Sequence, residues 1–229
     1  NNLFGDGNGY VGNVNLKPET AHKIGFLIDH QDLNGDWMFK VNPFYSYIND
    51  YIDAENTSAS RSDGYRNLKF HNHDATIAGI DIAAKRQIFK NTSLGNYDLF
   101  AKFNYQRGRN LDNSTDLYNL MPANLSLGLN HAKNNWKNSF VVKLVDKKDK
   151  VDTVRQERET SSFAVADFYT SYQLQSFEIA GSIENIFDRM HDNPLGGEYI
   201  GQGATMSTGV SRATGTQTPG IGRSINISI

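Results

Sequence analysis

The chain has 229 residues, of which 38% are hydrophobic, with a net charge of −2 and a mean hydropathy of −0.55. No stretch approaches the roughly 20 consecutive apolar residues that a membrane-spanning helix requires. The basic stripe typical of nucleic-acid binding is missing, so no nucleic-acid partner is expected. Cysteine is absent, which excludes disulfides and thiolate metal sites.

About nine strands are predicted, each with the roughly 9 to 11 residues or more that a tilted membrane-spanning strand needs. The first runs near residues 21–31 and ends at a tight turn over residues 34–36, where Asn and Gly tolerate a positive φ. The second begins at Trp37 and continues to about Ile52. Proline removes a backbone donor, so Pro43 is expected to disturb the ladder of this strand.

A polar loop over residues 53–67 is expected to lead into the third strand, which residues 90–95 turn back into the fourth. The fourth strand shows the period of two most clearly. Its apolar face consists of Tyr97, Leu99, Ala101, Phe103 and Tyr105. Its other, mostly polar face consists of Asp98, Phe100, Lys102, Asn104 and Gln106. Aromatic residues recur at the ends of such apolar faces, as in sheets that turn one side to lipid and the other to a wet lumen.

The fifth to ninth strands repeat this alternation and are joined by links of alternating length. Short turns are predicted at residues 133–135 and 175–176. Long polar loops are predicted at residues 108–119, 146–159 and 187–218. This alternation is typical of bacterial outer-membrane barrels, which have tight periplasmic turns and larger external loops.

The predicted fold is therefore all-β: a transmembrane antiparallel β-barrel, to which this chain contributes about nine strands. A single-chain bacterial barrel uses an even number of strands, so an odd count that starts outside predicts that residues 1–229 are the C-terminal part of a larger barrel. The alternative is a soluble sandwich with inward-packed apolar faces, which alternation alone does not exclude. The length of the predicted strands argues against it.

Four short segments carry a family resemblance. Residues 12–19 (GNVNLKPE) resemble the segment before a mid-barrel strand in TonB-dependent outer-membrane receptors, and residues 184–188 (ENIFD) resemble a motif near the C-terminus of those receptors. Met121-Pro122 after a long loop and residues 219–224 before the last strand are also similar. Pro18 and Asn185 are interpreted as architectural, because Pro18 fixes φ before a strand and Asn185 suits a cap at the rim.

The resemblance implies a barrel of about 22 strands with a plug domain inside. The plug, its TonB-contacting box and the first barrel strands would precede this chain. The absent start Met and the terminal Ile229, where such proteins usually end in an aromatic residue, lead us to expect further residues at both ends.

The implied function is uptake of a metal complex across the bacterial cell outer membrane, energised through TonB. Outer-membrane lipid and lipopolysaccharide would surround the barrel. Residues 193–206 resemble a subset described as receptors for iron complexes such as iron–siderophores, or for copper. A passive porin or structural barrel is the alternative. No enzyme activity and no intrinsic cofactor are expected.

Two sets of side chains are candidate metal ligands. His71 and His73 share the face assigned to the lumen, and two neutral imidazoles could bind a metal together with a third group. Met190, His191 and Met206 share one outer loop, where thioether and imidazole groups suit copper(I). The alternatives are lumen residues bonded to the plug or to water for the first set, and incidental loop residues for the second.

The other histidines and the main run of charges are given structural interpretations. His22, His30 and His131 fall on the lipid-facing register near strand ends and are interpreted as interfacial. Residues 146–159 carry charges of both signs and are interpreted as a solvated loop that could help to capture an anionic chelate.

Overall fold

The computed structural model describes residues 8–60, 66–199 and 216–229. In these ranges no helix is long and apolar enough to cross a membrane. The strands are β1 (Gly9–Val11), β2 (Thr20–Gly25), β3 (Ile28–Gln31), β4 (Trp37–Ser60), β5 (Arg66–Thr92), β6 (Gly95–Asn110), β7 (Asn124–Lys133), β8 (Trp136–Val145), β9 (Phe163–Leu174), β10 (Phe177–Glu184), β11 (Glu198–Tyr199), β12 (Thr216–Gln217) and β13 (Ser224–Ser228).

One large sheet contains eleven of these strands, and its main path runs β13-β10-β9-β8-β7-β6-β5-β4-β2. β3 follows β2 along β4, and β1 pairs with β5 in parallel. β11 and β12 form a separate two-stranded piece. We call the end of the sheet with the short links at residues 32–36, 93–94, 134–135 and 175–176 the turn end, and the opposite end the loop end.

The nine predicted strands are confirmed, with the first divided into β2 and β3. Pro43 on β4 explains the division. The Phe26 N–H donates to the Pro43 carbonyl oxygen over 3.0 Å, but proline has no N–H to return the second bond of this pair. The ladder therefore opens between Gly25 and Ile28, which are the last residue of β2 and the first of β3.

The prediction of a polar loop over residues 53–67 is wrong for residues 53–60 and 66–67, because β4 continues to Ser60 and β5 begins at Arg66. Residues 61–65 lie outside the described ranges. Polar cross-strand partners, such as Asp53 opposite His71, complete the ladder there. This part of the hairpin packs against polar side chains of other segments, such as Arg155 on Asp53, so it needs no apolar face and its composition resembles that of a loop. The β4–β5 hairpin consequently extends past the paired part of β6, which ends opposite Ala75.

An extra residue in β4 changes which side chains share a face at the loop end. The register with β5 shifts between Ile48 and Tyr51, and Asp50 between them has a φ of 55°. A one-residue insertion exchanges the two faces of a strand. Tyr51 and Asp53 therefore lie on the same side of the sheet as Ile48, the side that also carries His71 and His73.

The opposite side of the sheet is apolar, and aromatic groups cluster on it near the turn end. The ring of His30 lies 4.6 Å from that of Trp37, and the ring of His131 lies 4.6 Å from that of Tyr97. His22 lies opposite Tyr47 near the loop end of this same side. The three histidines thus occupy the positions predicted for them, at the ends of the apolar face.

The segment that carries the GNVNLKPE motif is a strap across the β4–β5 hairpin. β1 pairs with β5 and β2 pairs with β4, so the intervening residues must cross from one edge of the hairpin to the other. The Asn72 side chain accepts from the Lys17 N–H and donates to the Lys17 carbonyl, over 2.8 and 3.0 Å. Glu19 Oε1 accepts from the Ile52 N–H over 2.7 Å, beside the bulge. The motif therefore anchors the strap to an irregular point of the hairpin.

Asn185 closes the loop end of β10, as its interpretation as a cap predicts. Its φ is 48°, and its Nδ2 donates to the Arg189 and Ile221 carbonyls over 3.0 and 3.1 Å. Its Oδ1 accepts from the Arg189 N–H over 2.8 Å. One side chain thus satisfies backbone groups on both sides of the longest loop.

Candidate ligand-entry site at the loop end

The His71–His73 pair lies on β5 at the loop end, and its contacts are carboxylates. His73 Nε2 lies 3.3 Å from Glu55 Oε1, and His73 Nδ1 lies 3.3 Å from Asp112 Oδ2. His71 Nε2 lies 3.8 Å from Glu55 Oε2. The His73 side chain is 5% exposed and that of His71 is 39% exposed. The structure therefore brings the two predicted histidines together with carboxylates from β4 and from the loop after β6.

The cluster does not have the arrangement of a preformed metal site. Within the described part of the chain, no three or more His, Asp or Glu side chains are placed to hold a metal ion. Asp81, a carboxylate further along the same face, accepts from Asn104 Nδ2 over 2.6 Å. His73 Nε2 is buried and makes no hydrogen bond to another described residue.

The second candidate set is only partly described. Met206 lies outside the described residues. Met190 is 88% exposed. The His191 ring stacks on that of Phe163 at 4.1 Å, and its Nδ1 lies 3.0 Å from the Arg189 carbonyl oxygen. His191 thus has a packing role whether or not it binds a ligand.

The loop after β6 folds back over the side of the sheet that carries the histidines. Leu117 is 1% exposed and packs against Ile48 and Ala75. A Cβ atom at Gly108 would lie 2.7 Å from Leu117 Cδ1, so this close approach requires glycine. This apolar contact, which the sequence analysis missed, holds the loop beside the His71–His73 pair.

The charged segment over residues 146–159 is not simply a solvated loop, and that interpretation is corrected here. Lys148 is 3% exposed, and its Nζ lies 2.5 Å from Glu157 Oε1 and donates to the Pro194 carbonyl over 2.7 Å. Glu157 Oε1 also accepts from the Asn119 N–H over 2.9 Å. One buried ion pair therefore joins three long loops. We call residues 111–123, 146–160 and 185–199 together the loop rim.

Arg155 makes a second buried connection, between the loop rim and the β4–β5 hairpin. Its Nη2 lies 3.4 Å from Asp53 Oδ1, and its Nε lies 3.3 Å from Asp152 Oδ2. The guanidinium carbon is 4.7 Å from the centre of the Tyr118 ring. Asn8 Nδ2 donates to the Arg155 carbonyl over 2.8 Å. Four parts of the chain therefore meet at this arginine.

The negative charge of Asp53 affects the ionisation of Asp152, the other carboxylate beside Arg155. Burial, followed by the negative charge of Asp53, raises the pKa of Asp152 to about 6, against backbone N–H donors and the Arg155 charge that lower it. In contrast, hydrogen bonds from Lys147 and Lys150 lower the pKa of the partly exposed Asp149. The exposed lysines of this segment are therefore paired locally, which weakens the expectation that they capture an anionic ligand.

The residues of the loop rim carried a weak signal in the sequence. A run of mixed charge usually indicates a solvated surface. Which lysine or arginine becomes buried depends on where Asp53 and Pro194 lie in the fold, and these partners are 102 and 46 residues away from Arg155 and Lys148. Only the topology of the sheet brings them together.

Comparison with known proteins identifies the family to which this architecture belongs. Residues 1–186 match the family described as TonB dependent receptor-like, beta-barrel. No curated protein matches significantly.

Three solved structures share the fold at low sequence identity. The copper transporter OprC is 17% identical with a TM-score of 0.76, over 93% of this chain and 32% of that one. The ferric yersiniabactin uptake receptor FyuA from Yersinia pestis is 14% identical with a TM-score of 0.61, over 91% and 29%. The pyoverdine outer membrane receptor FpvA from Pseudomonas aeruginosa PAO1 is 13% identical with a TM-score of 0.62, over 93% and 29%.

The chain spans about a third of the length of these structures. Together with the family match, which covers most of the chain, the shared fold shows that the chain belongs to the TonB-dependent receptor β-barrel family.

Proposed function

We propose that this chain is the C-terminal wall of an outer-membrane receptor that imports a metal complex with energy delivered through TonB. In this proposal the loop end faces the outside and the turn end faces the periplasm, because receptor barrels have long external loops and short periplasmic turns. The remaining barrel strands and a plug domain complete the protein. Its role is transport, with no catalytic step.

The observation that carries the proposal is the connected loop rim. The Lys148–Glu157 and Arg155–Asp53 pairs are buried and join loops that are far apart in sequence. Long loops that are tied to one another present a defined entrance surface, which suits selective capture better than free passage. A passive porin, the alternative, needs only an open polar channel.

The proposed cargo is a complex of iron or copper. Structures that share the fold are named as a copper transporter, a ferric yersiniabactin uptake receptor and a pyoverdine receptor. His71, partly exposed on the inner side of the entrance, and His73 behind it are retained as candidate ligands for the metal or for its chelator. Met190, His191 and Met206 are a second, weaker candidate set for copper(I).

Growth and uptake of a strain that lacks the intact receptor test the function. We expect poor growth under limitation for one of iron, copper or zinc, restored by the intact gene. Uptake should require TonB and the proton gradient. Normal growth of the deletion strain under all three limitations would refute metal uptake, and uptake that persists without TonB would favour the passive porin.

The histidine assignment has its own test in the same strain. His71→Ala and His73→Gln are compared with His22→Gln, which changes a histidine near the same end of the sheet but on its opposite, apolar face. Reduced uptake in the first two variants, with normal receptor levels, would support the assignment. Uptake equal to that of the unmodified receptor would remove both residues from the binding site.

A further inference from the structure

Arg86 is a cation on the apolar side of the sheet. Cross-strand partners share a face, and the partners of Arg86 are Trp37 on β4 and Leu99 on β6. Further along the same row lie Leu129 and Phe140, on β7 and β8. An arginine among four bulky apolar side chains on a lipid-facing surface costs free energy, and such residues are by default candidates for a function.

Arg86 is exposed, and it makes no ion pair or side-chain hydrogen bond with another described residue. The neighbouring cations differ from it in this respect. Lys85 faces the other side and lies 3.0 Å from Asp98, and Lys90 Nζ lies 3.2 Å from Asp36 Oδ1. Asp32 is also engaged, because it accepts from the Trp37 N–H over 2.9 Å. A positive charge without a partner among the described residues thus remains at this place.

A depression lies next to Arg86 on its loop-end side. The next row across the sheet consists of Phe39, Ala84, Ala101, Leu127 and Val142. Ala84 and Ala101 are direct partners, so two small side chains lie between a phenylalanine and a leucine. With strands about 4.8 Å apart, the two alanines leave a gap about 10 Å wide. Both rows line one groove of about 1050 Å³.

We propose that this groove binds one membrane phospholipid of the inner leaflet, with its phosphate on Arg86 and its first methylenes over Ala84 and Ala101. Guanidinium groups pair well with phosphate oxygens. The aromatic clusters at Tyr97–His131 and Trp136–Tyr172 lie toward the turn end, so the long Arg86 side chain can reach the level of the head groups.

The site is complete within this chain, since β4 to β8 all contribute to it. The choice of the inner leaflet rests on the orientation given under the proposed function, whereas the groove itself depends on the family's barrel fold and on the lipid-facing side, not on the proposed cargo. Its failure and the failure of metal uptake are therefore separate results.

Phospholipid retained by the purified intact receptor tests the proposal. The receptor is extracted in mild detergent, washed extensively, and analysed by native mass spectrometry and by phosphate assay. We expect about one phospholipid per receptor, because basic sites at a membrane surface bind lipid head groups. Arg86→Gln should lower retention about tenfold through loss of the charge-assisted bonds, and Arg86→Lys should keep part of it.

Two further variants distinguish a defined lipid-binding site from an arginine that only reaches the membrane interface. Ala101→Leu fills the depression and leaves Arg86 in place, so retention should fall as it does in Arg86→Gln. Lys90→Gln removes a nearby cation that is already paired with Asp36, so retention should not change. Barrel folding is checked in every variant by the altered gel mobility of the unheated protein.

The results that overturn the proposal are equally definite. They are a receptor without retained phospholipid, retention in Arg86→Gln equal to that of the unmodified receptor, full retention in Ala101→Leu, or an equal loss in Lys90→Gln. Should Arg86→Gln fail to fold, Arg86→Lys and Ala101→Leu decide the outcome between them.

Discussion

At the loop end, Arg155 and Lys148 are buried against carboxylates from distant parts of the chain, whereas in the middle of the wall Leu127 and Phe140 are 43% and 41% exposed. The same sheet thus buries charge at one end and exposes apolar surface along its side. The solvent explains the difference. Lipid takes up the apolar face of the wall, while the described ion pairs that order the loop rim are polar contacts within the chain. The order of the entrance therefore depends on a few paired charges.

The largest effect is expected from breaking the connection at Arg155. Arg155→Met leaves Asp53 and Asp152 buried without their cation, and removing one partner of a buried pair costs about 3–5 kcal/mol. Amide hydrogen exchange of residues 146–160 in the intact receptor should speed up, while that of β7 and β8 is unchanged. Lys147→Met, which changes an exposed lysine of the same segment, is the control. Equal exchange in both variants would show that the pair does not hold the loop rim.

Adjacent positions on β7 sharpen the contrast between the two sides of the wall. Leu127→Arg puts a charge on the lipid-facing side, at a cost of about 2–4 kcal/mol near the bilayer midplane. Ser126→Asp puts one on the other side, between Lys102 and Lys143, and should be tolerated. Urea unfolding in lipid vesicles measures both. Similar losses at the two positions would contradict the assignment of the faces.

Acidification should tighten the loop rim. The pKa of Asp152 is about 6 in the folded state, against 3.8 as the ordinary value. The folded state therefore binds the proton more readily, and stability increases as pH falls from about 7 toward 4. Between pH 7.5 and 5.0 linkage gives roughly 1.4 kcal/mol. Protection factors of the amides near Val154 should increase accordingly, and Asp152→Asn should remove the dependence. An unchanged dependence in that variant would assign it to another group.

The smallest effect is expected at Pro43, where the ladder along β4 opens between β2 and β3 and lacks one bond. Pro43→Val supplies the N–H that can donate to Phe26 and should stabilise this edge by about 1 kcal/mol. Slower amide exchange at Phe26 and Leu27 would confirm the gain. Met38→Val, a change on the same strand that alters no backbone donor, is the comparison. Faster exchange in Pro43→Val would mean that proline stabilises this edge in another way.

Most of the wall could be predicted because lipid and water impose a local pattern. Each residue of β6 or β7 faces either lipid or water. The alternation of apolar and polar residues along the strand therefore shows which face each residue lies on, without knowledge of the neighbouring strands. The same logic places His30 and His131 beside aromatic rings. It failed at residues 53–60, where β4 packs against polar side chains such as that of Arg155, loses the alternation and resembles a loop in composition.

The candidate site was predicted only in part. His71 and His73 were placed on one face because side chains two positions apart in a strand point to the same side of the sheet. Their carboxylate neighbours, Glu55 and Asp112, were not predicted, because a bulge at Asp50 sets the face of Glu55 and a folded loop positions Asp112. The strap motif and Asn185 were identified as architecture, but the backbone groups that they bind became apparent only in the fold.

The sequence by itself determined the strands, the two faces and the alternation of turns and loops, since each follows from residues close together in the chain and from the two solvents of the wall. The tertiary structure decided which charges are buried in the loop rim and where Arg86 meets the Ala84–Ala101 depression. The physical reason is that ion pairs and grooves form between side chains that are distant in sequence. Which side chains come together depends on the bulge at Asp50, on Pro43 and on the order of strands across the sheet.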